Sequence, residues 1–172
     1  MICKNCNGTS KIERYVNFDE KVTETCEYCN GGHIESIEAF IQSRGVLTGS
    51  RAMGFANSSS DWDYAVTENE YNFIMKYVDS KDVTLGGSSN NRMMNERSSK
   101  FWLNSRQYNI IAYRTSECLE IIRNITSAVG LFPECEDKNI RNAMFETLCQ
   151  MFITPKARKI PVIELDDDDI PF

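Results

Sequence analysis

Two groups of residues in this chain have the types and spacing to do chemistry. The first is Cys3-x2-Cys6 and Cys26-x2-Cys29, with nineteen residues between the pairs. Two residues between thiolates let one tight turn bring both sulfurs to a single tetrahedral ion, with zinc–sulfur bonds of about 2.3 Å. Gly8 and Gly31 each stand two residues after the second Cys of a pair, where such a turn favours positive φ. The pattern predicts a structural Zn²⁺ site held by Cys3, Cys6, Cys26 and Cys29. His33, the only histidine, is a spare ligand by chemistry and an exposed helix-start residue by position. A redox role needs only one CxxC and leaves the second pair unexplained. Cys118, Cys135 and Cys149 fall in or beside helical patterns and read as ordinary thiols.

The second group lies in "LTGSRAMGFANSSSDWDYAV". Gly49-Ser50 closes a short apolar run, and Asp61-Trp62-Asp63 starts eleven residues after Ser50. Positions i and i+2 of a strand face the same way, so Asp61 and Asp63 present their carboxylates together. Adjacent carboxylates are costly unless they share a cation, and hard oxygen ligands suit Mg²⁺. A Gly-Ser turn offers backbone N–H groups and a hydroxyl to a phosphate, and Arg51 adds a positive charge. A metal clamp beside a phosphate cradle is the equipment of phosphoryl and nucleotidyl transfer.

The order Leu47, Gly49, Ser50, Arg51, Gly54, Ser60, Asp61, Trp62, Asp63 resembles the polymerase-β-type nucleotidyltransferase superfamily. Its signature is an apolar residue, Gly-Ser, a spacer, then Asp-apolar-Asp on the next strand. The resemblance covers about residues 34–130. It implies that Gly49, Ser50, Arg51 and Ser60 meet a nucleoside triphosphate and that Asp61 and Asp63 hold Mg²⁺. It also implies a third carboxylate on a later strand that helps bind the second metal and activates the attacking hydroxyl. The matching position here is Asn109, in "QYNIIAYR". An amide cannot take the proton, although its carbonyl oxygen can ligate a metal. Glu96 and Glu117 are the nearest other acids, and neither is central in a strand pattern. The catalytic set is therefore Asp61, Asp63 and Asn109, and the Asn leaves open both a working transferase and a silent domain. Separately, "CKNCNGTS" and "CEYCNGGH" resemble the CxxCxGxG knuckles of J-protein chaperones and related zinc ribbons. That likeness covers residues 3–33, lacks the final glycine in both copies, and implies a ribbon without chaperone activity.

Asp166, Asp167, Asp168, Asp169, Ile170, Pro171 and Phe172 close the sequence as "DDDDIPF". They resemble the peptide that ends bacterial single-stranded-DNA-binding proteins. Phe172 supplies an apolar anchor, and its carboxylate can pair with Arg or Lys at a pocket rim. Pro171 lowers the ordering cost, and the aspartates steer the peptide to a basic ridge. The resemblance implies partners among the replication and repair proteins that bind that peptide. No barrel of alternating strands accompanies it. A bacteriophage protein directed at its host's factors, or an adaptor that mimics the peptide and competes for them, would carry these parts. Nucleic acid is a further partner class, with modest support from Lys4, Lys11, Arg14 and Lys21.

These residues need positioning elements. "KIERYVNFDEKVTET" alternates as two short strands. Ile34, Ile37, Phe40 and Ile41 share a helical face that Gly45 stops. "VLTGS" and "DWDYAV" read as strands and "ENEYNFIMKYV" as a helix. "DVTLGGSSNNRMMNERSSKFWL" is ambiguous, with a loop and one or two edge strands. "QYNIIAYR" is the strongest strand. "SECLEIIRNITSAVG", capped by Thr115 or Ser116 and ended by Gly130, and "DKNIRNAMFETLCQMF" are amphipathic helices. The expected fold is α+β: a small mixed sheet with helices, a zinc ribbon over 1–33, a nucleotidyltransferase-like domain over 34–153, and a flexible arm over 154–172.

The net charge is −6, and five of the acidic groups lie in the last nine residues, Glu164 and Asp166 to Asp169. The rest is close to neutral, which argues against a generally basic nucleic-acid binder. No apolar run reaches the length of a membrane span, and the first residues carry no hydrophobic signal segment. The expected compartment is the cytoplasm, that of a bacterial host for a phage protein.

Overall fold

The computed structural model describes residues 1–17, 20–78, 83–85 and 97–153. Glu96, the expected arm over 154–172 and its docking peptide lie outside the described residues. The architecture is α+β. A hairpin of β1 (Lys11–Asn17) and β2 (Glu20–Thr25) is followed by α1 (Ile37–Arg44), β3 (Val46–Thr48), α2 (Gly49–Ala52), β4 (Trp62–Thr67) and α3 (Glu68–Met75). Then come β5 (Thr84–Leu85), β6 (Arg97–Leu103), β7 (Arg106–Tyr113), α4 (Ser116–Gly130), a 3₁₀ turn (Pro133–Glu136) and α5 (Lys138–Ile153).

The helices start where a side chain can take up their free N–H groups. Ser36 Oγ accepts from Ala39 N at 3.0 Å, and Thr115 Oγ1 accepts from Cys118 N. Thr67 and Glu70 form a reciprocal capping box at α3. Of the two expected caps for α4, Thr115 is the one used. The ambiguous segment resolves into β5 and β6 where it is described. β6 turns into β7 through Asn104-Ser105, both at positive φ (50° and 63°). Two consecutive positive-φ residues make the tight hairpin loop whose twist matches paired strands.

The second sheet runs in the order β3-β4-β7-β6-β5. β4 and β7 are parallel and the other pairs antiparallel. Its faces carry separate cores. On one face Tyr64, Val66, Phe101, Tyr108 and Ile110 pack with α1, α3 and Cys3, Cys6 and Cys26. Tyr28 stacks on Phe73 (4.7 Å between centroids), which also meets Phe40 at 4.5 Å, so the N-terminal cysteine segment and the helices share one hydrophobic core. On the other face Val46, Ala65 and Tyr113 pack under α4, with Cys135 and Cys149 buried among them. Gly130 is the last residue of α4, and a Cβ there would stand 3.1 Å from Met53 O. It ends the helix, as the sequence predicts, and its lack of a side chain lets α4 pack closely on Met53.

Strand register places the site. Thr48 pairs with Asp63, Asp63 with Asn109, and Asn109 with Lys100. Paired residues point to the same face. Thr48, Asp63, Asn109 and Lys100 therefore form one polar row across four strands, on the face that α4 covers only in part.

Candidate functional site

The four cysteines form the first centre. The Sγ atoms of Cys3, Cys6, Cys26 and Cys29 lie within 4.8 Å of one another. Cys3–Cys26 is 3.9 Å and Cys6–Cys29 is 3.6 Å. A tetrahedron of metal–sulfur bonds near 2.3 Å has edges of about 3.8 Å, so this donor set fits a tetrahedral thiophilic ion. Gly8 and Gly31 have positive φ (80° and 57°), as the turns require. Gly32, also at positive φ, locks one knuckle on the other: a Cβ there would stand 2.0 Å from Gly8 O. Cys3 N donates to Gly32 O and Cys26 N donates to Ser10 O, each at 2.8 Å. His33 is exposed and outside the cluster. Burial pushes the Cys6 thiol up, but hydrogen bonds from Cys29 and Cys3 and from the backbone at Ser10 and Gly8 outweigh it and bring Cys6 down to about 7. Cys29 is pushed up to about 12 by burial and by hydrogen bonding to its neighbours. Metal binding to such a cluster takes the thiolate forms and releases the thiol protons.

The second centre is a cleft of about 590 Å³ at the polar row. One wall carries Thr48, Gly49, Ser50, Ser60, Asp61, Asp63 and Lys100. The 3₁₀ turn and α5 contribute Glu136, Lys138, Arg141 and Asn142 to the cleft lining. Met53, Phe55, Ile111 and Phe145 give the cleft an apolar part. Gly49 has φ +65°, and a Cβ there would stand 2.2 Å from Asp63 Oδ2. The glycine lets the backbone at the start of α2 press against the carboxylate.

Asp61 lies just before β4 and Asp63 within it, and both line the cleft. Lys100 Nζ donates to Asp61 Oδ2 at 2.6 Å. Asn109 Nδ2 donates to Asp63 Oδ1 at 2.7 Å. A carboxylate only accepts, which fixes the orientation of the amide. Asn109 Oδ1 is then buried with no hydrogen-bond partner among the described residues. Burial raises the Asp63 carboxyl above the usual aspartate range; Asn109 lowers it, Asp61 raises it further, and Lys100 and Arg51 partly offset the rise. A half-buried carboxylate bonded to an amide whose oxygen is orphaned is a donor set that suits a hard cation.

Most of the residues singled out in the sequence come together: Gly49, Ser50, Ser60, Asp61 and Asp63 line the cleft, and Asn109 bonds Asp63 from the adjoining strand. Arg51 is the exception. It donates Nε to Asp61 O (3.1 Å) and Nη2 to Ser60 O, and its guanidinium lies 4.4 Å from the Trp62 ring centre. It braces the loop before β4 and is not among the residues lining the cleft. Glu117 sits in the first turn of α4, outside the cleft lining. The sequence reading missed Lys100 and the α5 wall. The α5 wall includes Arg141, only 8% exposed, which donates Nη1 to Cys135 O (2.7 Å) and Glu136 O (3.2 Å). Its ring contact with Phe55, at 5.4 Å, had no local signal.

Among the described residues no helix is long and apolar enough to cross a membrane. No protein-family model, no curated protein and no solved structure matches this chain.

Proposed function

We propose that this chain is a metal-dependent, nucleotidyltransferase-like protein with a structural zinc ribbon, addressed through Asp166 to Phe172 to host replication and repair proteins. The observation that carries the reading is the carboxylate pair Asp61 and Asp63, set against the Gly49-Ser50 backbone beside an orphaned Asn109 oxygen. Asp61, Asp63 and Asn109 Oδ1 would hold Mg²⁺. When bound, that ion would polarise a phosphoryl oxygen and neutralise charge on the substrate. Gly49 and Ser50 offer backbone N–H and hydroxyl groups to a phosphate. Lys138 and Arg141 supply positive charge in the cleft lining, and the apolar part has room for a base or sugar. Arg141 is nearly buried and has no ion-pair partner among the described residues, so an anionic ligand would compensate it. Trp62 and Arg51 hold the loop that carries Asp61.

The test is to incubate the protein with Mg²⁺, each α-labelled nucleoside triphosphate and host extract, beside Asp61→Ala/Asp63→Ala. Label transferred by the wild type and lost in the variant supports the enzyme. Equal labelling, or none, removes it.

A second reading is favoured by the neutral Asn109 and by the Lys100–Asp61 ion pair. In it the domain does not turn over nucleotide, and the protein is an adaptor or inhibitor that competes for the tail-binding pocket of host proteins. Pull-downs from host extract with the full chain and with Phe172 deleted address this reading. Identical partners in both would remove the docking role of residues 166–172.

A further inference from the structure

We propose that the cleft takes one divalent cation, and that the Lys100 ammonium supplies the positive charge a second cation would otherwise bring. The inference rests on reading the cleft as a cation–polyphosphate site.

Two-ion sites place their ions about 3.5–4 Å apart and share anionic ligands between them. The cleft has two aspartates beside this row, Asp61 and the row's own Asp63, and each already spends one oxygen. Asp61 Oδ2 accepts from Lys100 Nζ at 2.6 Å, and Asp63 Oδ1 accepts from Asn109 Nδ2 at 2.7 Å. The third position of the row, between Asp63 and Lys100, is the neutral Asn109. The oxygens without a partner among the described residues are Asp61 Oδ1, Asp63 Oδ2 and Asn109 Oδ1. Asp61 and Asp63 line the cleft and Asn109 adjoins it through its bond to Asp63, so these few free oxygens, completed by substrate and water, suffice for one hard cation. They do not suffice for two.

Lys100 is built into the sheet rather than hung from a loop. It lies in β6 directly opposite Asn109, between β5 and β7. Its stem reaches past Asn109 to Asp61. Two carboxylates facing one ammonium leave a single net negative charge, matched to one divalent ion plus an anionic substrate. Loss of Lys100 unbalances that charge and frees Asp61 Oδ2 for metal.

The experiment uses the zinc-loaded full chain and two probes, Mn²⁺ alone and Mn²⁺ with inorganic tripolyphosphate, which carries the phosphates without committing to a base. Crystals soaked in both are read by anomalous scattering. The expected result is one manganese beside Asp63 and Asn109, with Lys100 still on Asp61. Two manganese ions overturn the inference and leave the cation reading standing. No manganese in either the wild type or Lys100→Met overturns both, and manganese in Lys100→Met alone overturns the single-ion claim. In solution, Mn²⁺ titration followed by electron paramagnetic resonance is expected to show Lys100→Met binding about tenfold tighter or gaining a second ion. Lys100→Arg, which keeps the charge, is expected to stay at one ion. Unchanged affinity and stoichiometry in Lys100→Met overturn the proposal.

Discussion

Gly49 lies against Asp63 so closely that a Cβ on the glycine would stand 2.2 Å from Oδ2, 2.8 Å from Cγ and 3.0 Å from Cβ of the aspartate. Its φ of +65° is also one that side chains with a Cβ seldom adopt. Gly49→Ala therefore meets two costs: strained backbone of about 1–3 kcal/mol, and displacement of the carboxylate. We expect a lower thermal midpoint and Mn²⁺ affinity reduced by about tenfold or more, because coordination depends on that oxygen's position. Unchanged Mn²⁺ binding in a folded Gly49→Ala protein would show that the contact does not position a metal ligand.

Asn109→Asp replaces the amide that donates to Asp63 with a third carboxylate. The 2.7 Å hydrogen bond is lost, and two acceptors face each other in a partly buried place. Without added divalent cation the variant is expected to unfold several degrees below the wild type. Millimolar Mn²⁺ is expected to restore most of the difference by binding the folded state. Thermal melts with and without Mn²⁺ read both effects. Equal midpoints for wild type and variant in the absence of Mn²⁺ would show that the hydrogen bond does not matter to folding.

The pH dependence of stability has a sign set by Asp63. Its folded-state carboxyl titrates above the ordinary aspartate value because burial disfavours the charge. As pH rises from the unfolded value towards the folded one, the unfolded chain releases a proton that the native state keeps. Stability falls through that window, and the penalty is complete above it. Asp63→Asn removes the slope. It is expected to melt higher than the wild type at neutral pH, with the gap closing in acid below the ordinary aspartate range. Glu38 runs the other way: hydrogen bonds from Tyr108 and Asn104 hold its carboxyl low, so its contribution is lost only as pH falls through the folded value. Melting curves from pH 3 to 8 in both proteins check this.

The ribbon and the body are expected to lose stability together when the metal is removed. Cys3, Cys6 and Cys26 belong to the same core as Phe40 and Phe73. Elemental analysis is expected to find one zinc per chain in the wild type and less in Cys29→Ser. Because the core is continuous, chelation should lower the melting midpoint of the whole molecule rather than release a separate low-temperature transition. Two well-separated transitions would argue for an independent ribbon. Phe73→Ala, which removes the ring stacked on Tyr28, is expected to cost about 3–5 kcal/mol and to weaken zinc retention.

Much of the site was legible in short stretches of sequence. The CxxC pairs set ligand spacing inside single turns, and Asp61-Trp62-Asp63 sets two carboxylates on one side of one segment. The amphipathic periods of 116–130 and 137–152 gave α4 and α5 to within a residue, and "QYNIIAYR" gave β7, because these signals are local. Lys100 was not legible, since it lies in "RSSKFWL", a stretch whose pattern left loop and edge strand both open. Nothing nearby says which strand it will pair with. Arg141 carries no signal of its own in the amphipathic stretch that forms α5. It is nearly buried where α5 packs on α4 and the 3₁₀ turn, with its guanidinium held by Cys135 O and Glu136 O.

By itself the sequence determined the donor chemistry: four thiolates at metal spacing, two carboxylates on one side, and a glycine before a hydroxyl. Those depend on the two-residue period of a strand and the reach of one turn, which are properties of consecutive residues. Only the tertiary structure decided that Lys100, Asn109, Asp63 and Thr48 form one row, and that Arg51 braces the loop while Arg141 lines the cleft. Register between distant strands is selected by which faces become buried across the whole sheet, so no local stretch encodes it.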